Sequence, residues 1–120
     1  MRIVIAGIDG YLGWPLAQHL ASHGHEIAGI DRFLRRAWVE EMGSDSAIPV
    51  ADWSDRAAYF REHTGREIVF SDGDLCDYTA VHGLLASFRP DAIVHLGEMP
   101  SAPYSMMDVH HAVFTQQNNV

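Results

Sequence analysis

Residues 2–6 carry Ile3, Val4 and Ile5 in succession with no polar alternation, the pattern of a strand covered on both faces of a parallel sheet. Glycines follow at once, and over residues 11–23 the period changes. Leu12, Leu16 and Leu20 fall on one helical stripe and Gly13, Ala17 and Ala21 on the adjacent one, with Pro15 tolerated in the first turn. Gly24 closes that helix, and residues 26–31 return as a second strand. Residues 67–71 predict a third. Asp77 stands as a helix N-cap before Val81, Leu84, Leu85 and Phe88, spaced i, i+3, i+4, i+7. Arg89-Pro90-Asp91 breaks that helix ahead of a fourth strand at 92–96. Strand and helix alternating at this pace predict an α/β fold, a parallel sheet in the order 3-2-1-4 with right-handed crossovers and helices on both faces.

Residues 32–66 read as a long insertion with short helices at 36–42 and 54–63, separated by Gly43-Ser44-Asp45-Ser46 and Pro49. Connections of this length often carry function. Trp38 and Trp53 either cover a ligand's adenine or anchor the insertion, and anchoring is the favoured reading. No internal repeat or low-complexity segment interrupts the pattern.

The segment Gly7-Ile8-Asp9-Gly10-Tyr11-Leu12-Gly13 joins the first strand to the first helix almost without a loop. Gly7 permits the tight turn, Gly10 lets backbone amides approach a pyrophosphate, and Gly13 lets the helix pack close to the strand. The unpaired amides and positive end of the helix supply the attraction for phosphate. The spacing is G-x-x-G-x-x-G and not the commoner G-x-G-x-x-G. Its context strengthens it, because Asp31 ends the second strand 18 residues beyond Gly13, where an acid meets the adenosine ribose hydroxyls. Asp31 repels a 2′-phosphate and so favours NAD over NADP, whereas Arg32, Arg35 and Arg36 pull the other way, since a nearby arginine accommodates that phosphate. NAD is the expected cofactor, bound by a Rossmann-like half-domain at the carboxyl ends of the strands.

The chain of 120 residues, 48% apolar, has the size of one domain. Sixteen acidic against eight basic side chains give a net charge of −8, which argues against nucleic acid or an anionic membrane as main partner. The single cysteine, Cys76, excludes an internal disulfide framework and suits a reducing compartment. Met1-Arg2 leads straight into the first strand and no apolar run approaches membrane-spanning length, so a cytoplasmic protein is expected.

With Gly73-Asp74-Leu75-Cys76-Asp77, the run from Pro90 to Leu96 and Asn118-Asn119-Val120 added, the sequence resembles the extended short-chain dehydrogenase/reductases that act on nucleotide sugars. Within them, Gly10-Tyr11-Leu12-Gly13-Trp14, Arg35-Arg36, Gly97-Glu98 and Ser101-Ala102-Pro103-Tyr104-Ser105-Met106 look most like the UDP-sulfoquinovose synthase subfamily. The resemblance implies that Tyr11 and Leu12 bind cofactor phosphates through their amides, that Asp31 with Arg32, Phe33, Leu34, Arg35 and Arg36 surrounds the adenosine ribose, and that Asp74 and Leu75 flank the adenine. It places Leu96, Gly97 and Glu98 along the nicotinamide side and gives Asn118 a hydrogen bond to the cofactor. Glu98, Ser101 and Tyr104 are its substrate-side candidates. The implied substrates are a UDP-sugar, UDP-glucose, and sulfite; the implied assembly is a homodimer of the full-length enzyme. A 4-epimerase, a 4,6-dehydratase and a non-catalytic dinucleotide-sensing module are the alternatives.

Two departures stand out. Met99-Pro100 occupies the place of a Gln-Arg pair in plant-like synthases, removing a cation that would grip an anion. No Tyr-x-x-x-Lys occurs, and the chain contains no lysine at all. That pair supplies the family's base, so the expectation is an amino-terminal part whose catalytic and substrate portion lies beyond it, inactive alone, with the fourth strand left as an edge.

Other chemistry is thinly supported. His19 and His23 share a helix face and His110-His111 are adjacent, but no cysteine or carboxylate completes a ligand set, and no metal is expected. His95 reads as a packing residue, Cys76 lacks a cation neighbour in sequence, and Glu98 is the best local acid-base candidate against the plainer reading of a solvated loop carboxylate. Ser101 and Tyr104 serve equally well as caps and packing for the helix after Pro103.

Overall fold

The computed structural model describes residues 1–119. Four parallel strands, β1 (Arg2–Ala6), β2 (Glu26–Asp31), β3 (Ile68–Asp72) and β4 (Ala92–His95), form one sheet in the order β3-β2-β1-β4. The register aligns Ala6 with Ile30 on one side and His95 on the other, and Asp31 with Asp72, so all four carboxyl ends meet at one rim. The predicted order is the observed one.

Within the buried strands, alternate residues serve opposite faces. Ile3, Ile5 and Ile27 join Ala17, Ala21 and Phe60 on the face covered by α1 (Gly13–Ser22) and α3 (Trp53–Thr64). Val4, Ala6, Ala28 and Ile30 join Leu84 and Phe88 of α4 (Tyr78–Phe88) on the other. On α1 the small-residue stripe is the one that packs. Gly13, Ala17 and Ala21 are buried, Leu16 and Leu20 flank the contact, and Leu12 is 62% exposed.

The connection from β2 to β3 contains α2 (Leu34–Glu41) and α3. Phe60 of α3 enters the core and Trp53 stacks on Phe70 of β3 at 4.4 Å while meeting Trp14 edge-on at 5.2 Å. Most of this stretch is therefore the crossover itself, with α2 added, and the tryptophans anchor it. Trp38 of α2 is buried with Met99 and with Tyr104 of α5 (Ala102–Ser105), and Phe114 of α6 (Val109–Asn118) closes the group.

His95 differs from expectation. It is exposed, as is its same-face neighbour Ile93, because α4 lies over β1 and β2 and no described residue covers that face of the edge strand β4.

One ion-pair cluster holds α6 to α2. His111 lies 2.8 Å from Asp108 and 3.1 Å from Glu41, and both contacts favour the doubly protonated ring, so its pKa is raised above the ordinary 6.5. A raised folded-state pKa gives stability that is fully present below the unfolded value and is lost as pH rises through the folded one. The stability difference between the wild type and His111→Gln, measured by urea unfolding across pH, is expected to be largest below pH 6.5 and to shrink above it.

Two glycine substitutions separate packing from propensity. A Cβ on Gly13 collides with the Gly7 carbonyl oxygen and the Ile8 backbone, whereas one on Gly83, within α4, meets nothing. Gly13→Ala should destabilise by about 1–3 kcal/mol, and Gly83→Ala should stabilise by about 0.4–1 kcal/mol. Thermal melts of the two variants check both signs.

Candidate cofactor site

The turn after β1 is built by contact as well as by backbone freedom. Gly7 has φ +79°, its N–H donates to the Ile30 carbonyl at 2.9 Å, and a Cβ there would lie 2.7 Å from Gly97 Cα. That contact joins the ends of β1 and β4, the point where the strand order reverses and ligands of open α/β sheets bind. Gly10 is different: among the described residues other than its chain neighbours, a Cβ there would come within 4 Å of the Gly7 carbonyl oxygen alone, at 3.3 Å, so the rest of the space beside it is open.

The helix above is left uncapped. Leu12 occupies the N-cap and supplies no side-chain hydrogen bond, and no described residue accepts from the N–H of Tyr11 or Leu12. Both of their side chains are exposed. An open cradle beneath unpaired amides at a helix N-terminus fits a pyrophosphate.

Asp31, the residue expected at the ribose, is held by two backbone N–H groups. Its Oδ2 accepts from the N–H of Asp9 at 2.9 Å and its Oδ1 from that of Phe33 at 2.9 Å. Burial pushes its carboxyl above the ordinary value and the Asp9 charge adds to this, while those N–H groups work against it. Phe33 sits at φ +60°, a left-handed conformation uncommon outside glycine, held by the Asp31 hydrogen bond and a 5.5 Å ring contact with Phe70.

The arginines that the resemblance puts around the ribose are unequal. Arg36 donates to both carboxylate oxygens of Asp9, at 3.1 and 3.0 Å, and Arg32 pairs with Asp74. Arg35 is exposed. Arg56 of α3 also pairs with Asp9 and lies between Trp14 and Trp53, its guanidinium carbon 4.9 and 5.7 Å from their ring centres. Asp9 and Arg56 escaped the sequence reading. Asp9 lay inside the glycine motif as an unassigned residue, and nothing local links it to an arginine 47 positions away.

Asp74, expected beside the adenine, accepts from the Cys76 N–H at 2.9 Å, and this bond, assisted by Arg32, holds its carboxyl low. Burial first and Asp74 second push the Cys76 thiol up, away from a nucleophile. Leu75 packs so closely that a Cβ on Gly97 would strike it. At the far end, Leu96 donates its N–H to the Ala6 carbonyl at 2.9 Å, and Glu98 is exposed with no hydrogen-bond partner among the described residues.

Asn119, which the sequence reading assigned no role, clamps the main chain of Met99: it accepts from the N–H at 2.8 Å and donates to the carbonyl at 3.0 Å. Asn118, assigned to the cofactor from sequence, donates to the Asn119 side chain at 3.1 Å. Ser101 caps α5 by accepting from the Tyr104 N–H, and Tyr104 is 6% exposed within the Trp38 cluster. These two side chains hold the segment after β4 in place; neither is presented freely at the rim.

A model of the NAD dependent epimerase/dehydratase family matches residues 3–117. The chain belongs to that family. Its cofactor is NAD, which the open glycine turn and Asp31 suit. The chain is 49% identical over 119 residues to the UDP-sulfoquinovose synthase of Sulfolobus acidocaldarius and 41% identical to the chloroplastic UDP-sulfoquinovose synthase of Spinacia oleracea, covering 99% of itself in each case. It spans 30% and 25% of those two relatives' lengths. Among solved structures it is similar to the UDP-glucose 4-epimerase of Bifidobacterium longum, which was solved with NAD+ and UDP. The TM-score is 0.70 at 16% identity, over 98% of this chain and 30% of that one, a likeness of fold.

The role expected of Asp31 is to accept from the adenosine ribose hydroxyls, and removing its carboxylate takes that charge-assisted partner away. Asp31→Ala should weaken NAD binding by about 1.5–3 kcal/mol, read by calorimetric titration with a melt to show that the loop survives. Unchanged affinity would make Asp31 a bystander.

Proposed function

We propose that this chain is the NAD-binding part of a nucleotide-sugar enzyme of the UDP-sulfoquinovose synthase type. The observation that carries the reading is the 49% identity maintained over 99% of the chain, together with a glycine turn whose helix amides are left open. In this role the amides of Tyr11 and Leu12 hold the pyrophosphate, Asp31 holds the adenosine ribose, and Asp74 and Leu75 border the adenine. Leu96, Gly97 and Glu98 face the nicotinamide end. NAD, when bound, serves as a hydride acceptor that is restored within each turnover.

On this reading the substrates are UDP-glucose and sulfite. Oxidation at C4 acidifies the C5 proton, water leaves across C5 and C6, and sulfite adds at C6 as a proton returns to C5. The hydride then returns to C4, so cofactor and sugar oxidation levels balance. The general base for the first oxidation is expected outside this chain, whose cations are all arginine. Glu98, exposed beside the rim, is the local carboxylate placed to orient the sugar or move a proton.

Mass spectrometry of products from the full-length protein, incubated with UDP-glucose and NAD with and without sulfite, tests the proposal. A sulfonated nucleotide sugar that requires sulfite is the expected product. A 4-epimer or a 4-keto-6-deoxy sugar would instead assign the chain to the epimerase or dehydratase branch, and no turnover with NAD still bound would favour a sensing role.

A further inference from the structure

We infer that Asp9 is a specificity-determining residue that keeps the site selective for NAD over NADP by sequestering two arginines beside the ribose acid. The inference rests on the proposed cofactor role of the glycine turn and extends it to a discrimination that Asp31 does not carry alone.

Asp9 is fixed at the ribose side by its own backbone, whose N–H donates to Asp31 Oδ2 at 2.9 Å. Its side chain is 6% exposed and lies between two guanidinium groups. Arg36 reaches it from α2 with Nε at 3.1 Å and Nη2 at 3.0 Å, the two-pronged geometry that an arginine otherwise offers a phosphate. Arg56 reaches it from α3, held between the tryptophan rings, with its Nε buried and without a hydrogen-bond partner.

The Asp9 carboxylate thus occupies the hydrogen-bonding edge of the cation best placed to meet a 2′-phosphate. Arg36 follows Asp31 by one turn of chain and lies near its charge, and its guanidinium carbon is 5.7 Å from the Phe33 ring centre. Arg36 is held further by the Ala51 carbonyl at 3.3 Å and by Asp52 at 3.7 Å. Of the other two arginines beside Asp31, Arg32 is taken by Asp74, and Arg35 is exposed and pairs with no carboxylate among the described residues. Three carboxylates, Asp9, Asp31 and Asp52, face two arginines, Arg36 and Arg56, and the excess negative charge repels a phosphate dianion. The hydroxyls of NAD bring no such charge and need only an acceptor, which Asp31 provides.

The test is a calorimetric titration of the full-length protein with NAD and with NADP. Asp9→Asn keeps the shape and removes the charge, and should raise NADP affinity relative to NAD by about tenfold, the effect of one charge-assisted contact. Asp9→Ser should shift the ratio in the same direction, which keeps the test alive if the asparagine variant folds poorly. Arg36→Ala in the Asp9→Asn background should abolish the gain, an outcome that loosening of the loop alone would not produce. An unchanged NADP-to-NAD ratio in both single variants, with NAD still bound, overturns this inference. Failure of the wild type to bind either dinucleotide overturns the cofactor reading on which it stands.

Discussion

The close approach of three backbones at the end of β1 constrains everything above it. Gly7 lies against Gly97 at the end of β4, and Gly13 at the start of α1 lies against the Gly7 carbonyl, contacts that no Cβ would allow. Because the helix begins this near the sheet, its first amides stand directly over the strand ends. Because β1 and β4 meet here, the strand order reverses at the same place, where the crevice of an open α/β sheet lies. The packing of Ala17 and Ala21 extends the contact along α1 and fixes the direction of its axis.

Electrostatics then decides what the crevice accepts. The global charge is −8, yet the turn offers unpaired amides where a phosphate would sit. At Asp31 the sign reverses: the Asp9 N–H donates to the Asp31 carboxylate, and Arg32 and Arg36 are committed to Asp74 and Asp9. The open amides and these carboxylates present opposite signs along one rim. This arrangement needs no bulk field, only a few charges held in order by α2 and α3.

The segment after β4 is secured from the opposite direction. Trp38, Met99, Tyr104 and Phe114 form a separate apolar cluster, Asn119 clamps the Met99 backbone, and His111 links α6 to Glu41. The same α2 that carries Arg36 toward Asp9 therefore braces the strip bearing Glu98. The Asp9–Asp31 part of the rim and the segment after β4 share one support.

The sequence by itself determined the elements and their order. Uninterrupted apolar runs, a change to helical spacing and glycine punctuation are local signals, and they carried the parallel sheet, the glycine turn between β1 and α1 and the place of Asp31 at the end of β2. They also carried the family, since its motifs are contiguous. What they left undecided concerned partners distant in the chain. The sequence posed Arg32, Arg35 and Arg36 against Asp31 without saying which would be free, and only the fold brought Asp74 to Arg32 and Asp9 to Arg36 and left Arg35 exposed. Arg56 and Asn119 were silent for the same reason, and His95 was misread because burial depends on which strands α4 covers, not on the residue's own run. Periodicity reports whether a residue has a buried face; which charge meets which is set by the crossover geometry, and that exists only once the sheet has formed.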